Sequence, residues 1–274
     1  MENKKHYPVP PSAWWKKLTL AFLVLLTGNT LYASGIDFDK AFSECTDIEK
    51  QIKRTSFPEK VYNIRDFGAR PDTPDEPCHE AINLAIVTCS QNGGGTVLVP
   101  KGTFYTGPLT LKSNVNLHVE EGATLKFVTD QKLYFPAVLT RWEGLDCYNA
   151  HPLIYAYGET NIAITGKGTI DGQGSMEAWW PMCGALHYGW KEGIVSQKLG
   201  SRERLMGYAE LKRPVYERVM TPEDGLRPQL INLYLCNTIL IEDVTLLNSP
   251  FWVIHPLLCE SLIVPVSYTH LTLP

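Results

Sequence analysis

The stretch that decides the fold is Leu226-Arg-Pro-Gln-Leu-Ile-Asn-Leu-Tyr-Leu-Cys236-Asn-Thr-Ile-Leu-Ile241-Glu-Asp-Val-Thr-Leu-Leu-Asn-Ser-Pro-Phe-Trp-Val-Ile-His255-Pro256. Four apolar runs stand in it, Gln229–Leu235, Thr238–Ile241, Val244–Leu247 and Phe251–His255, each broken by Asn, Asp, Ser or Pro. Short runs rich in Ile, Val, Leu and aromatics between turn residues read as strands. The pattern then restarts: Cys236-Asn-Thr-Ile-Leu-Ile is answered by Cys259-Glu-Ser-Leu-Ile-Val. A fixed offset of roughly 20–50 residues marks a solenoid. The expected fold is therefore all-β, a parallel β-helix.

Working outward, the chain before this stretch obeys the same rhythm. Thr96–Val99, Thr103–Tyr105, Leu109–Leu111, Val115–Val119 and Thr124–Val128 are short strands separated by Pro-Lys-Gly, Gly-Pro, Lys-Ser-Asn and Glu-Glu-Gly-Ala. Tight turns without intervening helices imply an all-β architecture. Asn114, Asn161 and Asn237 each precede a strand, and Asn tolerates the left-handed backbone that coil corners need. Between Cys78 and Asn92 the spacing changes to Ala81, Ile82, Ala85, Ile86 and Cys89, which is helical. Gly93-Gly-Gly95 stops this helix, and its place before the first coil makes it the cap an open solenoid end requires.

Two segments break the rhythm. Residues 1–35 place Lys4, Lys5, Lys16 and Lys17 before the apolar Leu18–Leu26, with small residues toward Ala33. That is a secretory signal pattern, too short to span a membrane, which needs about 20 apolar residues. The expectation is export to the periplasm or beyond, with no stable membrane insertion after cleavage. Residues 173–228 carry Trp179, Trp180 and Trp190, a helix expected near 191–206, and the bases Arg202, Arg204, Lys212, Arg213, Arg218 and Arg227, most of them read as a solvated face. The tryptophans argue for order. The expected organisation is a leader (1–35), a lead-in (36–60), a β-helix (61–264) with the partly helical insertion 173–228, and an atypical tail (265–274).

Composition narrows the function. Net charge is -4 in 274 residues, which lacks the basic footprint of a nucleic-acid binder. The seven cysteines form no Cys-x-x-Cys pair, so a zinc ribbon or thioredoxin-type site is not indicated. Cys236 and Cys259 would stack about 4.8 Å apart, inside the disulfide window. They read as a stacked ladder of free thiols.

Nine motifs in order give the chain a family likeness: Asn63-Ile-Arg-Asp-Phe-Gly-Ala69, Gly93-Gly-Gly-Thr-Val-Leu-Val-Pro-Lys-Gly102, Thr106-Gly-Pro-Leu-Thr-Leu-Lys-Ser-Asn-Val115, Gly122-Ala-Thr-Leu125, Arg141-Trp-Glu-Gly144, Pro152-Leu-Ile-Tyr155, Ile164-Thr-Gly-Lys-Gly-Thr-Ile-Asp-Gly172, Leu226-Arg-Pro228 and Ser249-Pro-Phe-Trp-Val-Ile-His-Pro256. From about Val61 to Val264 the chain resembles the N-terminal part of glycoside hydrolase family 28, the polygalacturonases. The resemblance implies a right-handed parallel β-helix, and hydrolysis of α-1,4-linked galacturonic acid in pectin, with inversion and without metal or other cofactor. The implied partner is pectic polysaccharide or an oligogalacturonide, met by a monomer.

Inverting hydrolysis needs two carboxyl groups roughly 6.5–9.5 Å apart, one acid and one base. The family supplies them from an Asn-x-Asp motif and an Asp-Asp pair, with Gly-His-Gly and Arg-x-Lys nearby. This chain contains no Asp-Asp pair and no Gly-His-Gly. No catalytic residue is therefore assigned. Glu120-Glu121 reads as a solvated corner, Glu223-Asp224 as a Pro/Gly-rich approach to Arg227, and Asp171 as the cap of its own turn. Residues 265–274 match nothing in the family and are read as a foreign or misread tail standing where the catalytic half belongs. The chain as given is expected to be inactive.

Candidate substrate contacts are Arg141, Trp142, Arg227, Trp252 and His255, since a polyanion calls for guanidinium forks and stacking rings. Strand alternation would put Trp252 and His255, three apart, on opposite faces. Arg141 could also pair with Glu143 or Asp146. A calcium-dependent lyase would need a carboxylate cluster, and none is visible in the sequence. A different uronan hydrolase, or a non-catalytic polysaccharide-binding β-helix, remains an alternative.

Overall fold

The computed structural model describes residues 37–265 and the backbone of 268–270. The leader, and the tail apart from those three residues and Pro265, lie outside the described residues. Residues 37–52 hold helix α1, Phe38–Gln51, whose first turn is capped by the Asp37 carboxylate accepting from the Lys40 N–H at 3.0 Å.

From Lys53 onward the chain coils through three parallel sheets. The first contains β1 Val61–Asn63, β2 Gly95–Val99, β5 Val115–Val119, β10 Thr160–Thr165, β13 Asn237–Ile241 and β16 Glu260–Ile263. The second contains β3 Gly102–Thr106, β6 Ala123–Phe127, β11 Thr169–Asp171, β14 Thr245–Leu247 and β17 Tyr268–His270. The third contains β4 Leu109–Thr110, β9 Ile154–Tyr157, β12 Ile231–Tyr234 and β15 Ile254–Leu257. Every neighbouring pair in these sheets is parallel. The only antiparallel pair among the described residues is a hairpin, β7 Val138–Trp142 with β8 Leu145–Asn149.

The 23-residue echo is the length of the last coil. It pairs Asn232 with His255 in the third sheet and Asn237 with Glu260 in the first. In the second sheet the same step sets Thr245 beside Tyr268, so the stack continues into the tail. Alternate residues of β2, β5 and β6 are buried, as period-2 side chains demand. Stacking then makes columns, such as Val97–Leu117–Ile164–Ile241 in the first sheet and Phe104–Leu125–Ile170–Leu246 in the second. All eight are essentially sealed from solvent.

The expected cap helix is α2, His79–Gln91, which buries Ile82, Ala85, Ile86 and Cys89 in that core. A side chain on Gly94 would collide with the Asn114 carbonyl, so only glycine lets the chain leave α2 so close to the next coil. The left-handed corner column is Asn114, Asn161, Thr238 and Ser261, with φ of 65°, 57°, 59° and 53°. Asn237 was expected there. The register pairs it with Thr160 and shifts the corner one residue on, to Thr238.

The insertion also differs from expectation. Its helix is α3, Ser201–Glu210, because Gly193 and Gly200 take positive φ and end any helix attempted before them. Its bases are mostly solvated, as expected: Arg202, Arg204, Lys212 and Arg213 are exposed. Arg202 pairs with Glu143 at 2.8 Å, Arg204 with Asp224, and Arg218 donates to the Arg213 and Asp146 carbonyls. Trp179 is buried edge-on against Tyr134, with ring centroids 5.3 Å apart.

Candidate functional site

The outward face of the third sheet carries one polar row. Register aligns Thr110, Tyr155, Asn232 and His255 across four coils. Each member is fastened: Thr110 Oγ1 lies 3.0 Å from His151 Nε2, the Tyr155 hydroxyl donates to the Leu139 carbonyl at 2.6 Å, and Asn232 Nδ2 sits 2.7 Å from His255 Nδ1. Tyr155 is thereby tied to the hairpin, which folds over this face.

Arg141 and Asp146 face each other across the hairpin. Two bonds join them, 2.7 Å and 3.2 Å, and the Tyr234 hydroxyl adds a third to Asp146 at 3.0 Å. Burial pushes the Asp146 carboxyl up, but the bonds from Arg141 and Tyr234 outweigh it and hold the carboxyl below its usual range. Arg141 therefore reaches the face with its charge already matched, 6.0 Å above the Tyr234 ring. Of the two pairings open to it in the sequence, Asp146 is the one formed; Glu143 goes to Arg202.

The remaining candidates gather round Phe251. Trp142 stacks with it at 5.7 Å, Trp252 stacks with it at 4.8 Å, and Trp252 meets His255 edge-on at 4.5 Å. Arg227 lies 5.0 Å over Phe251 and donates from Nη1 to the Pro250 carbonyl.

Two expectations fail here. Trp142 is no rim residue: it is 1% exposed, packed in a small core with Cys147, Leu205, Met220 and Leu226. The sequence does not show that the hairpin folds back beneath α3, which is what buries it. Trp252 and His255 do not oppose each other either. Leu230-Ile231 in one coil and Val253-Ile254 in the next are consecutive core-directed residues. Two in a row break the alternation, so the residues on either side, Trp252 and His255, emerge on the same face. Trp252 is 40% exposed there and His255 only 8%.

Arg227 has an unusual setting. No carboxylate lies within ion-pair distance of it among the described residues, and its Nε is sealed without a hydrogen-bond partner. Burial lowers the pKa of its guanidinium. An unmatched, partly buried cation is costly, so the position is primed for an anion. His255 is held uncharged. Burial, then the Arg141 charge, brings its pKa down to about 4.

Sequence reasoning missed Asn232 and Phe251. Asn232 was within reach, since it stands one coil length before His255. The carboxylates passed over are structural: Asp171 accepts from the Gln173 N–H and from Asn248, and Asp224 is buried between Arg204 and the Thr221 N–H. Among the described residues, no cluster of three or more His, Cys, Asp or Glu could hold a metal ion.

No family model matches the chain. Individual proteins do. Over 116 residues, 37% of the chain, it is 34% identical to an endo-polygalacturonase of Pectobacterium carotovorum subsp. carotovorum, of which it covers 27%. Over 156 residues, 54% of the chain, it is 31% identical to an exo-poly-alpha-D-galacturonosidase of Dickeya chrysanthemi, of which it covers 24%. Among solved structures, an exopolygalacturonase from Thermotoga maritima superimposes with a TM-score of 0.78 at 42% identity, over 82% of this chain and 50% of that one. The chain resembles the polygalacturonases of glycoside hydrolase family 28. This polygalacturonase-like chain spans about a quarter of the two curated relatives and half of the Thermotoga maritima chain. Its fold is the right-handed parallel β-helix. No helix among the described residues of the polygalacturonase-like chain is long and apolar enough to cross a membrane.

Proposed function

We propose that the chain serves an exported glycoside hydrolase of the polygalacturonase type, which hydrolyses α-1,4-galacturonosyl linkages of pectin with inversion. The observation that carries this reading is the 42% identity, at a TM-score of 0.78, to an exopolygalacturonase. The geometry supports it. Arg227 offers an unmatched cation to a uronate carboxylate, Trp252 offers a half-open ring to a sugar face, and His255 offers a neutral imidazole beside Trp252. Arg141, matched by Asp146, shapes the face and adds little free charge.

The general acid and base are assigned to residues this sequence does not contain. Purified chain is expected to bind oligogalacturonate in titration calorimetry and to release no reducing ends from polygalacturonate. Measured reducing-end release would overturn the assignment of catalysis, and equal affinity for a neutral oligogalactoside would overturn the uronan reading. Arg227→Lys is expected to weaken binding about 10-fold or more, because a lysine keeps the charge but loses the fork.

The missing Asp-Asp pair favours a second reading, a polysaccharide-binding β-helix without catalysis. A chimera joining this chain to the downstream half of the Thermotoga maritima protein separates the two. Hydrolysis by the chimera supports the enzyme, and binding without hydrolysis supports the non-catalytic module.

A further inference from the structure

The corner between the third and first sheets is built twice in the same way. Leu235 and Leu258 take left-handed φ of 55° and 51°, and Thr238 and Ser261 take 59° and 53°. Cys236 and Cys259 hold the same place in these two turns. Their backbones are clamped on both sides. The Leu235 N–H donates to the Leu257 carbonyl at 2.9 Å, and the Glu260 N–H donates to the Cys236 carbonyl at 2.9 Å. One residue on, Asn237 Nδ2 donates to Glu260 Oε2 at 2.8 Å. Neighbouring coils are about 4.8 Å apart, within the Cα separation that a disulfide bridges. Both cysteines are free thiols in the structure; Cys236 Sγ donates to the Tyr234 carbonyl at 3.4 Å and Cys259 Sγ to the Leu233 carbonyl at 3.2 Å. Cys236 is 1% exposed, whereas Cys259 is only partly buried.

We infer that Cys236 and Cys259 are a redox-active dithiol, a partly buried attacking thiol backed by a fully buried resolving one, which closes to a disulfide across adjacent coils. The attacking thiol must be reached by the oxidant, so the greater exposure of Cys259 assigns it that role.

The oxidant is a small disulfide or an oxidised dithiol protein, as an export compartment supplies. Cys259, as thiolate, attacks one sulfur of the oxidant; that S–S bond breaks, and one thiolate leaves. Cys236 then loses its proton and attacks Cys259 Sγ, expelling the second thiolate. Two protein thiols become one disulfide, and one external disulfide becomes two thiols. Nothing else in the coil need change, because the two turns already share one conformation.

Glutathione disulfide is the probe. The folded 274-residue chain is incubated with it, alkylated without reduction, digested and mapped by mass spectrometry. The expected result is a Cys236–Cys259 cross-link and the loss of two alkylatable thiols. Cys236→Ser is expected to trap glutathione on Cys259, and Cys259→Ser to leave Cys236 unmodified, each variant first checked for the native circular-dichroism spectrum. Full alkylation of both residues after treatment of the unsubstituted chain overturns the inference. So does a cross-link that joins either residue to another cysteine. The unsubstituted chain decides the matter even if a serine variant does not fold.

Discussion

At position 255 a histidine lies against a buried amide and near a guanidinium, and that setting governs its charge. Its folded pKa of about 4 lies below the unfolded value of about 6.5. The unfolded chain therefore binds the extra proton first as pH falls. Stability from this residue is complete above about pH 6.5 and is lost between there and pH 4. Melting temperature followed by circular dichroism should fall across that window, and His255→Gln should flatten the fall. An unchanged slope in His255→Gln would remove His255 as its source. Trp142 sets a different test. Its ring is sealed between Phe251 and the hairpin core, so Trp142→Ala should cost about 3–5 kcal/mol in denaturant unfolding, with loss of structure rather than a selective loss of sugar binding. An exposed platform would give the opposite pattern. Both residues were nameable as candidates from the sequence, but their environments were not. Burial of Trp142 depends on where a hairpin folds, and the shared face of Trp252 and His255 depends on a break in strand alternation that one apolar run cannot reveal.

At the scale of elements, the corner column explains which residues can be exchanged. Asn161 donates to Asn114 Oδ1 at 3.0 Å and to the Ser56 carbonyl at 2.8 Å while holding φ at 57°. The next coil places Thr238 there at φ 59°, a β-branched residue in a region that suits asparagine better. Thr238→Asn should raise stability by about 0.5–1 kcal/mol by relieving that strain, read as a shift in denaturant midpoint with the slope unchanged. Asn161→Ala should lower it by about 1–3 kcal/mol, since it loses both the conformation and the bonds. Equal midpoints for these variants would sink the account of the corner. The strands themselves were legible to within a few residues, because alternation and turn residues are local properties. The one-residue slip from Asn237 to Thr238 was not, because register is set between coils and never within one. The same holds for α3: its glycine-limited start is local, but its docking through Arg202 on Glu143 is not.

For the whole molecule, the fold was readable from the 23-residue echo and nine spaced motifs, since a solenoid writes its period into its sequence. The site was readable only as a set of residue types, and Phe251, on which they converge, carried no signal of its own. The equal step in all three sheets has a consequence for how this protein tolerates length change. Leu235 and Leu258 are equivalent points on successive turns, so excising residues 235–257 rejoins Tyr234 to Leu258 with no change of phase. Glu260–Ile263 would then lie on Thr160–Thr165, and Tyr268–His270 on Thr169–Asp171, with the register unchanged. Such a shortened chain should fold cooperatively. Removing 22 residues from the same place should not, because a one-residue slip turns each following strand inside out. The protein is in this respect a reading frame in space, indifferent to the loss of a whole word and intolerant of the loss of a letter.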